Sequence, residues 1–199
     1  MLTLRAPSAD RLDALAARDG ASPYTYEVGL TDGPRHRRWF VEDVDTIVGV
    51  GLAAYDAGCA ALRAWDHTQL GWFVVHRPEA TPLADGQVVT YSTRALGVWW
   101  SYSCRIVAAI DETDPDGRRR FGYVYGTIGR HAERGEERVV VTFDPTTAEV
   151  HGSILAISRP GRWFTWVGLP FARHTQVRFK PEVLAALAGA VRRRLKAAD

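Results

Sequence analysis

Polar residues that stand among apolar neighbours are the first candidates for chemistry in this 199-residue sequence. A carboxylate or imidazole held in a cavity can transfer a proton, so Glu137, His151 and Arg105 are candidate catalytic residues. His151, Arg173 or Gln176 would instead orient the polar end of a ligand. More often such residues pair with a carboxylate for structural reasons, and no Ser-His-Asp or Cys-His order is recognisable. The sequence therefore assigns no catalytic role.

Alternating aromatic residues on two neighbouring segments predict the wall of a ligand cavity. Trp100 and Tyr102 share one face of a strand, and Tyr123, Tyr125 and Thr127 share one face of its neighbour. Rings with polar tips suit a partly wet cavity wall. A plain core, in which each hydroxyl bonds the backbone, is an equal alternative.

A loop broken by glycine and proline at 160–171 carries Trp163 and Trp166, which are candidates for a lid over the ligand. Four aromatic residues in so short a stretch would form a costly exposed patch on a monomer. Packing of this loop on a second subunit, giving a homodimer, is the alternative.

Two tempting motifs have better structural explanations. The segment from Gly49 to Ala54 matches the spacing of a dinucleotide-binding loop, but it lacks the βα units that such a site needs, and its glycines are interpreted as close-packing positions in a helix. His131, Glu133, Glu136 and Glu137 match no defined metal-ligand spacing and are read as a polar hairpin connection. We therefore predict no cofactor and no metal.

The elements that must position these residues follow from periodicity and turn signals. A strand is predicted from Arg37 to Val44, and Asp45 caps a predicted helix that ends near Ala64. Six strands follow, near 72–76, 87–95, 98–111, 119–128, 137–143 and 149–158. The last helix opens at Pro181 and ends near Lys196, with an apolar stripe of Leu184, Leu187, Ala188, Val191 and Leu195.

This element order predicts an α+β fold of the helix-grip type. Short turns between successive strands require antiparallel pairing, so the sheet is a meander. A curved sheet that wraps around the C-terminal helix leaves its cavity between the two. We expect one domain over 1–199, in which 22–197 form the helix-grip unit and 1–20 form an N-terminal helical extension with Leu12 and Leu15 facing inward.

Composition excludes several classes of protein. A net charge of +2 and scattered arginine clusters give no continuous nucleic-acid surface, so no nucleic-acid partner is expected. No apolar run approaches the roughly 20 residues of a membrane span, and the charged N-terminus does not resemble a signal peptide. A cytoplasmic protein is predicted, with Cys59 and Cys104 as buried free thiols.

The sequence resembles one known family in several motifs that occur in consistent order between about residues 22 and 180. They begin with Tyr24-Thr25-Tyr26-Glu27-Val28-Gly29 and the Gly49/Gly51 segment that leads to Trp65, and continue through Trp100–Ile106, Phe121–Thr127, Gly129–Glu137 and Ser158-Arg159-Pro160 to Arg173 and Gln176. These motifs are similar to those of the DUF1990 (UPF0548) family. The family pattern usually has a Gly-His pair where Arg130 here separates Gly129 from His131.

The resemblance implies a Bet v 1/START-like fold, whose members include lipid and hormone carriers, polyketide cyclases and hydratases. It implies no single activity. Three hypotheses stay open: a binding protein for an apolar or amphipathic small molecule, an enzyme of the cyclase, hydratase or hydrolase type that uses the same cavity, and an assembly protein that acts through the 160–171 loop.

Overall fold

Eight strands and three helices longer than one turn make up the part of the chain that the structure describes. The structure is a computed structural model that describes residues 1–33, 38–76, 83–95, 97–161 and 169–198, without the side chains of 169–177. The helices are α1 (Ala9–Gly20), α2 (Leu52–Arg63) and α3 (Leu169–Ala198), and a 3-10 turn spans Asp66–Thr68. The strands are β1 (Leu2–Thr3), β2 (Phe40–Val50), β3 (Phe73–His76), β4 (Val88–Ala95), β5 (Val98–Thr113), β6 (Arg119–Thr127), β7 (Glu133–Phe143) and β8 (Glu149–Pro160).

The strands form one curled antiparallel sheet. Its order is β2-β8-β7-β6-β5-β4-β3, and the short β1 pairs with β5. From β3 to β8 each strand pairs with the next along the chain, because turns such as Asp114–Gly117 and Asp144–Thr147 are too short for a parallel crossover. The predicted antiparallel meander is confirmed.

The pairing register defines an inner and an outer face of the sheet. One row across the sheet joins Ile106, Tyr125, Glu137, Ala156 and Glu42 as successive cross-strand partners. Side chains in such a row point to the same side of a sheet. This inner face carries the core residues of β6, β7 and β8, against which the helices pack.

The C-terminal helix lies against the inner face. Leu184, Leu187 and Val191 are fully buried, as the apolar stripe predicted, and Gly152 of β8 leaves the space that Leu184 and Leu187 fill. The predicted start of this helix at Pro181 is wrong, because α3 begins at Leu169 and includes Pro181. A proline removes one backbone hydrogen bond, and this helix accommodates that loss in its interior.

The predicted helix from Thr46 is also wrong over its first residues, which belong to β2. The β-branched run Thr46-Ile47-Val48 favours an extended backbone and pairs with β8. Gly51 then ends the strand with φ 85° and ψ 166°, a conformation that is essentially restricted to glycine. Gly49 is a close-packing position, as expected, but in a strand: a Cβ there would lie 2.6 Å from the Cβ of Ala54.

The N-terminal helix covers part of the outer face. Leu12 and Leu15 of α1 are buried, as predicted, where the helix packs on β4 and β5. Cys59 and Cys104 are both buried free thiols. No helix among the described residues is long and apolar enough to span a bilayer.

Candidate functional site

A small cavity lies between the inner face of the sheet, the 3-10 turn and α3. The cavity has a volume of about 20 Å³, which holds about one water molecule. Six of the thirteen lining residues carry Phe, Tyr or Trp rings, so a larger guest requires some of these rings to turn. The cavity is lined by Trp65, His67, Thr68, Phe73, Val75, Val89, Tyr91, Tyr123, Tyr125, Glu137, Val139, Phe179 and Val183.

One carboxyl group lies in this largely apolar wall. The hydroxyl of Tyr125 donates a hydrogen bond of 2.5 Å to Oε1 of Glu137, its cross-strand partner. Burial raises the pKa of Glu137, against the opposing effects of Lys180 and of the Tyr125 hydrogen bond. Burial likewise raises the pKa of Tyr125, so its hydroxyl remains a donor at neutral pH. Glu137 can accept further hydrogen bonds from a guest.

Further charged groups surround Glu137 on the inner face. Lys180 of α3, whose side chain is 5% exposed, forms an ion pair with Glu42 of β2. Glu133 lies on the same side of β7 as Glu137, and burial raises its pKa to about 7. Lys180 lowers the pKa of both Glu133 and Glu137 and is therefore electrostatically coupled to them. The described side chains thus place three carboxyl groups around one ammonium.

A histidine is buried near the start of β7. The Nε2 atom of His131 lies 2.6 Å from the hydroxyl of Tyr91, and its Nδ1 atom lies 3.0 Å from both the backbone nitrogen and the carbonyl oxygen of Glu133. Burial lowers the pKa of His131 to about 4, so the ring is neutral at pH 7. The ring of Tyr102 lies 4.8 Å from that of His131. In the described residues no three His, Cys, Asp or Glu side chains converge as metal ligands.

A second buried histidine, His67, lines the cavity itself. Nε2 of His67 is 2.6 Å from the hydroxyl of Tyr123, and burial lowers the pKa of His67 to about 4. Trp65 packs on Tyr123 with ring centroids 4.8 Å apart. The indole Nε1 of Trp65 is buried and has no acceptor among the described residues.

The prediction that His151 and Arg105 belong to the cavity is wrong, because both side chains lie on the outer face of the sheet. His151 lies between the core positions Val150 and Gly152, and successive side chains of a strand point to opposite faces. Its imidazole therefore faces outward, where Nδ1 lies 2.7 Å from Oδ1 of Asp45. Arg105 is likewise out of step with its buried neighbours, and it donates hydrogen bonds to the carbonyl oxygens of Gly20 and Ser22. Neither side chain reaches Glu137.

The other residues predicted to bind a ligand lie partly in the cavity wall and partly away from it. Tyr123 and Tyr125 line the cavity, and Tyr102 lies beside it. Trp100 lies further along the same face, opposite Thr93 of β4. The hydroxyl of Thr127 already has a hydrogen-bond partner, because it lies 2.5 Å from the hydroxyl of Thr25. Trp163, Trp166 and the side chains of Arg173 and Gln176 lie outside the described residues.

Several residues of the cavity and of the charged groups around it were missed by sequence reasoning. Tyr91 alternates with Val89 in a predicted strand and was detectable by the same rule as Tyr123. Lys180 is one of two lysines in the chain and follows an apolar residue. His67 carried no signal, because its position depends on how the 3-10 turn folds back under the sheet.

The match to a family model decides the family. Residues 24–186 match the model described as "Domain of unknown function (DUF1990)". The chain belongs to the DUF1990 family. Its relatives in that family include a UPF0548 protein of Dictyostelium discoideum, 32% identical over 81% of this chain and 76% of the relative. A UPF0548 protein of Deinococcus radiodurans is 31% identical over 88% of each chain.

Solved structures with a distant likeness to this DUF1990 chain include Ara h 8.0201, with a TM-score of 0.46 and 11% identity over 77% of this chain and 97% of that one. The di-domain ARO/CYC BexL gives a TM-score of 0.43 with 17% identity over 77% of this chain and 46% of that one. The helix-grip fold is established by the chain's own strand order and by the position of α3.

Proposed function

We propose that this protein binds a small amphipathic molecule between the sheet and α3. The observation that carries the proposal is the Glu137–Tyr125 pair, which lies in the wall of a largely apolar cavity. Buried ionisable groups commonly cost stability relative to apolar side chains of similar size. Titratable groups with perturbed pKa values in a cleft are typical of functional sites. A ligand whose polar end contacts Glu137 would explain why this buried pair is present.

The apolar part of the ligand would lie along the aromatic wall. Phe73 and Phe179 have ring centroids 4.6 Å apart, and Tyr91 lies 5.2 Å from Phe73. Because the cavity has room for about one water, these rings must change rotamer to admit an apolar chain. Each buried methylene contributes about 0.8 kcal/mol before the costs of immobilisation, so a chain of several carbons is sufficient for weak to micromolar binding.

Acid–base catalysis in the same cavity is the second candidate. Its specific support is Glu133, whose pKa of about 7 is close to the value that suits a general acid or base at neutral pH. The Glu137 carboxyl group would then contact the reacting molecule. Recovery of a bound molecule in converted form, after incubation with the protein, would favour this candidate over simple binding.

The assembly hypothesis remains a prediction. Residues 162–168, which include most of the aromatic side chains of the 160–171 loop, lie outside the described residues.

The binding proposal is tested by two substitutions on neighbouring residues of β3. Val75 lines the cavity, whereas Val74 is 38% exposed on the opposite face. In a fluorescence titration with the neutral dye N-phenyl-1-naphthylamine, we expect Val75→Trp to weaken binding at least about tenfold, or 1.4 kcal/mol. The new indole occupies the space that the dye needs. Val74→Trp adds the same bulk outside and should leave the affinity unchanged.

Native mass spectrometry of the purified protein complements the titration by showing any bound metabolite. If the unmodified protein binds no dye and releases no small molecule, the proposal is wrong. Equal effects of the two tryptophans would place the dye elsewhere on the protein and would also overturn it.

A further inference from the structure

We infer that the polar end of this cavity receives a hydroxyl head group and discriminates against a free carboxylate. The inference rests on the proposed binding function and names the chemical class of its ligand. It follows from which hydrogen-bonding positions and charges the described side chains present to the cavity.

The carboxyl group of Glu137 is the first element of the inference. Tyr125 donates to Oε1 of Glu137 across the β6–β7 pair, and this bond fixes the carboxyl group in the cavity wall. A carboxylate has about four lone-pair positions, so one tyrosine donor leaves acceptor capacity for a guest. A ligand hydroxyl can donate there, whereas an ionised carboxylate has no proton to donate.

The surrounding charges are the second element. Glu42 of β2, Glu133 of β7 and Lys180 of α3 share the inner face with Glu137, and Lys180 is already ion-paired with Glu42. The other titratable groups near Glu137 are the phenols of Tyr91, Tyr123 and Tyr125 and the thiol of Cys104, all of which burial keeps protonated and neutral. The imidazole of His67, in the same cavity lining, is also neutral because burial lowers its pKa to about 4. A ligand carboxylate would therefore add a like charge to an acidic environment, which is unfavourable at low dielectric.

An independent polar group also points to an occupant that contains oxygen. Trp65 is 4% exposed, lines the same cavity and carries an indole N–H that has no acceptor among the described residues. A buried donor is normally paired with protein or water. A hydroxyl oxygen can accept such a bond and can also donate one, whereas an ammonium group can only donate. The acidic groups attract an ammonium, but an ammonium loses its hydration on entering the cavity and cannot accept from Trp65. Alcohols are therefore expected to bind better than amines of the same length.

The test compares three probes with one eight-carbon chain: octan-1-ol, octylamine and octanoate. Each displaces N-phenyl-1-naphthylamine from the protein at pH 8. We expect octan-1-ol to bind at least about tenfold more tightly than octanoate, with octylamine between them. Any apolar cavity prefers an alcohol to an acid, so the decisive quantity is how a substitution changes this ratio.

Glu137→Gln is the decisive variant, because the amide keeps the size of the side chain and removes its charge. We expect it to reduce the octan-1-ol to octanoate affinity ratio at least about threefold, mainly through tighter octanoate binding. Glu149→Gln removes the same charge from the outer face of β8, where Glu149 contacts His151, and should leave the ratio unchanged.

The outcomes separate the inference from the proposed function. An unchanged ratio in Glu137→Gln, or octanoate binding as tightly as octan-1-ol to the unmodified protein, overturns the hydroxyl inference while dye binding still supports a ligand cavity. Loss of dye binding in a folded Glu137→Gln protein also contradicts the inference, since the shape of the cavity is retained. Failure of the unmodified protein to bind the dye overturns the proposed function itself.

Discussion

Two adjacent glutamates of β7 have opposite electrostatic environments because they point to opposite faces of the sheet. Glu137 faces the inner cavity, where burial raises its pKa. Glu136 is also buried, and burial alone would raise its pKa. Hydrogen bonds from Thr31, Gly29 and Tyr26 outweigh burial and lower the pKa of Glu136. The negative charge is therefore stabilised at Glu136 and penalised at Glu137.

This contrast predicts opposite effects of the same substitution on the free energy of unfolding. Glu136→Gln replaces charge-assisted hydrogen bonds by weaker ones and should lower stability by about 1–3 kcal/mol at pH 7. Glu137→Gln removes a penalised charge and should leave stability unchanged or raise it. Urea denaturation of both variants measures the difference. Equal destabilisation would show that the two carboxyl groups do not differ as the structure indicates.

At the residue scale, Tyr123, Tyr125 and Glu137 were named from the sequence as cavity candidates and do line the cavity, whereas His151 and Arg105 lie on the outer face. Alternation along a strand gives the relative faces of its residues, but it does not say which face is covered by helices. Both faces of this sheet are partly covered, by α3 inside and by α1 outside. A polar residue among apolar neighbours can therefore belong to either side.

At the scale of elements, turn signals between β3 and β8 were sufficient to predict each strand to within a few residues. The β2–α2 junction was not predictable in this way. Val48 and Leu52 have helical spacing, yet Val48 lies in a strand and Leu52 begins a helix. The change occurs at Gly51, whose positive φ is a property of the folded backbone. A glycine alone does not distinguish a helix interior from a junction.

The junction predicts a contrast between two glycine substitutions. Gly51→Ala forces a side chain into a backbone region reserved for glycine and should destabilise the protein by about 1–3 kcal/mol. Gly189→Ala, within α3, meets only the flexible ends of Arg193 and Arg192 and should stabilise the protein by about 0.5–1 kcal/mol. Thermal unfolding of both variants gives the two shifts. A Gly51→Ala protein as stable as the unmodified one would mean that the strand does not end in this conformation.

At the scale of the whole molecule, pH acts on stability through groups with opposite signs. Burial lowers the pKa of His67 and His131 to about 4, so the unfolded chain binds more protons below about pH 6.5 and stability falls on acidification. Burial raises the pKa of Glu133 to about 7. The folded protein therefore retains a proton that the unfolded chain releases above about pH 4.5, and stability falls as the pH rises towards 7.

Substitution of Glu133 separates these two contributions. Glu133→Gln abolishes the loss of stability that Glu133 causes between about pH 4.5 and 7. Both histidines remain in the variant, so their effect on stability cancels in the comparison of the two proteins. The variant should melt slightly higher than the unmodified protein at pH 5, and the difference in Tm should grow severalfold by pH 8. A pKa raised from 4.5 to about 7 corresponds to about 3 kcal/mol, or several degrees in Tm for a chain of this length. Melting curves that stay parallel from pH 5 to pH 8 would mean that Glu133 is ionised in the folded protein as readily as in water, and the inner face would then hold its carboxyl groups in a far wetter environment than the structure shows.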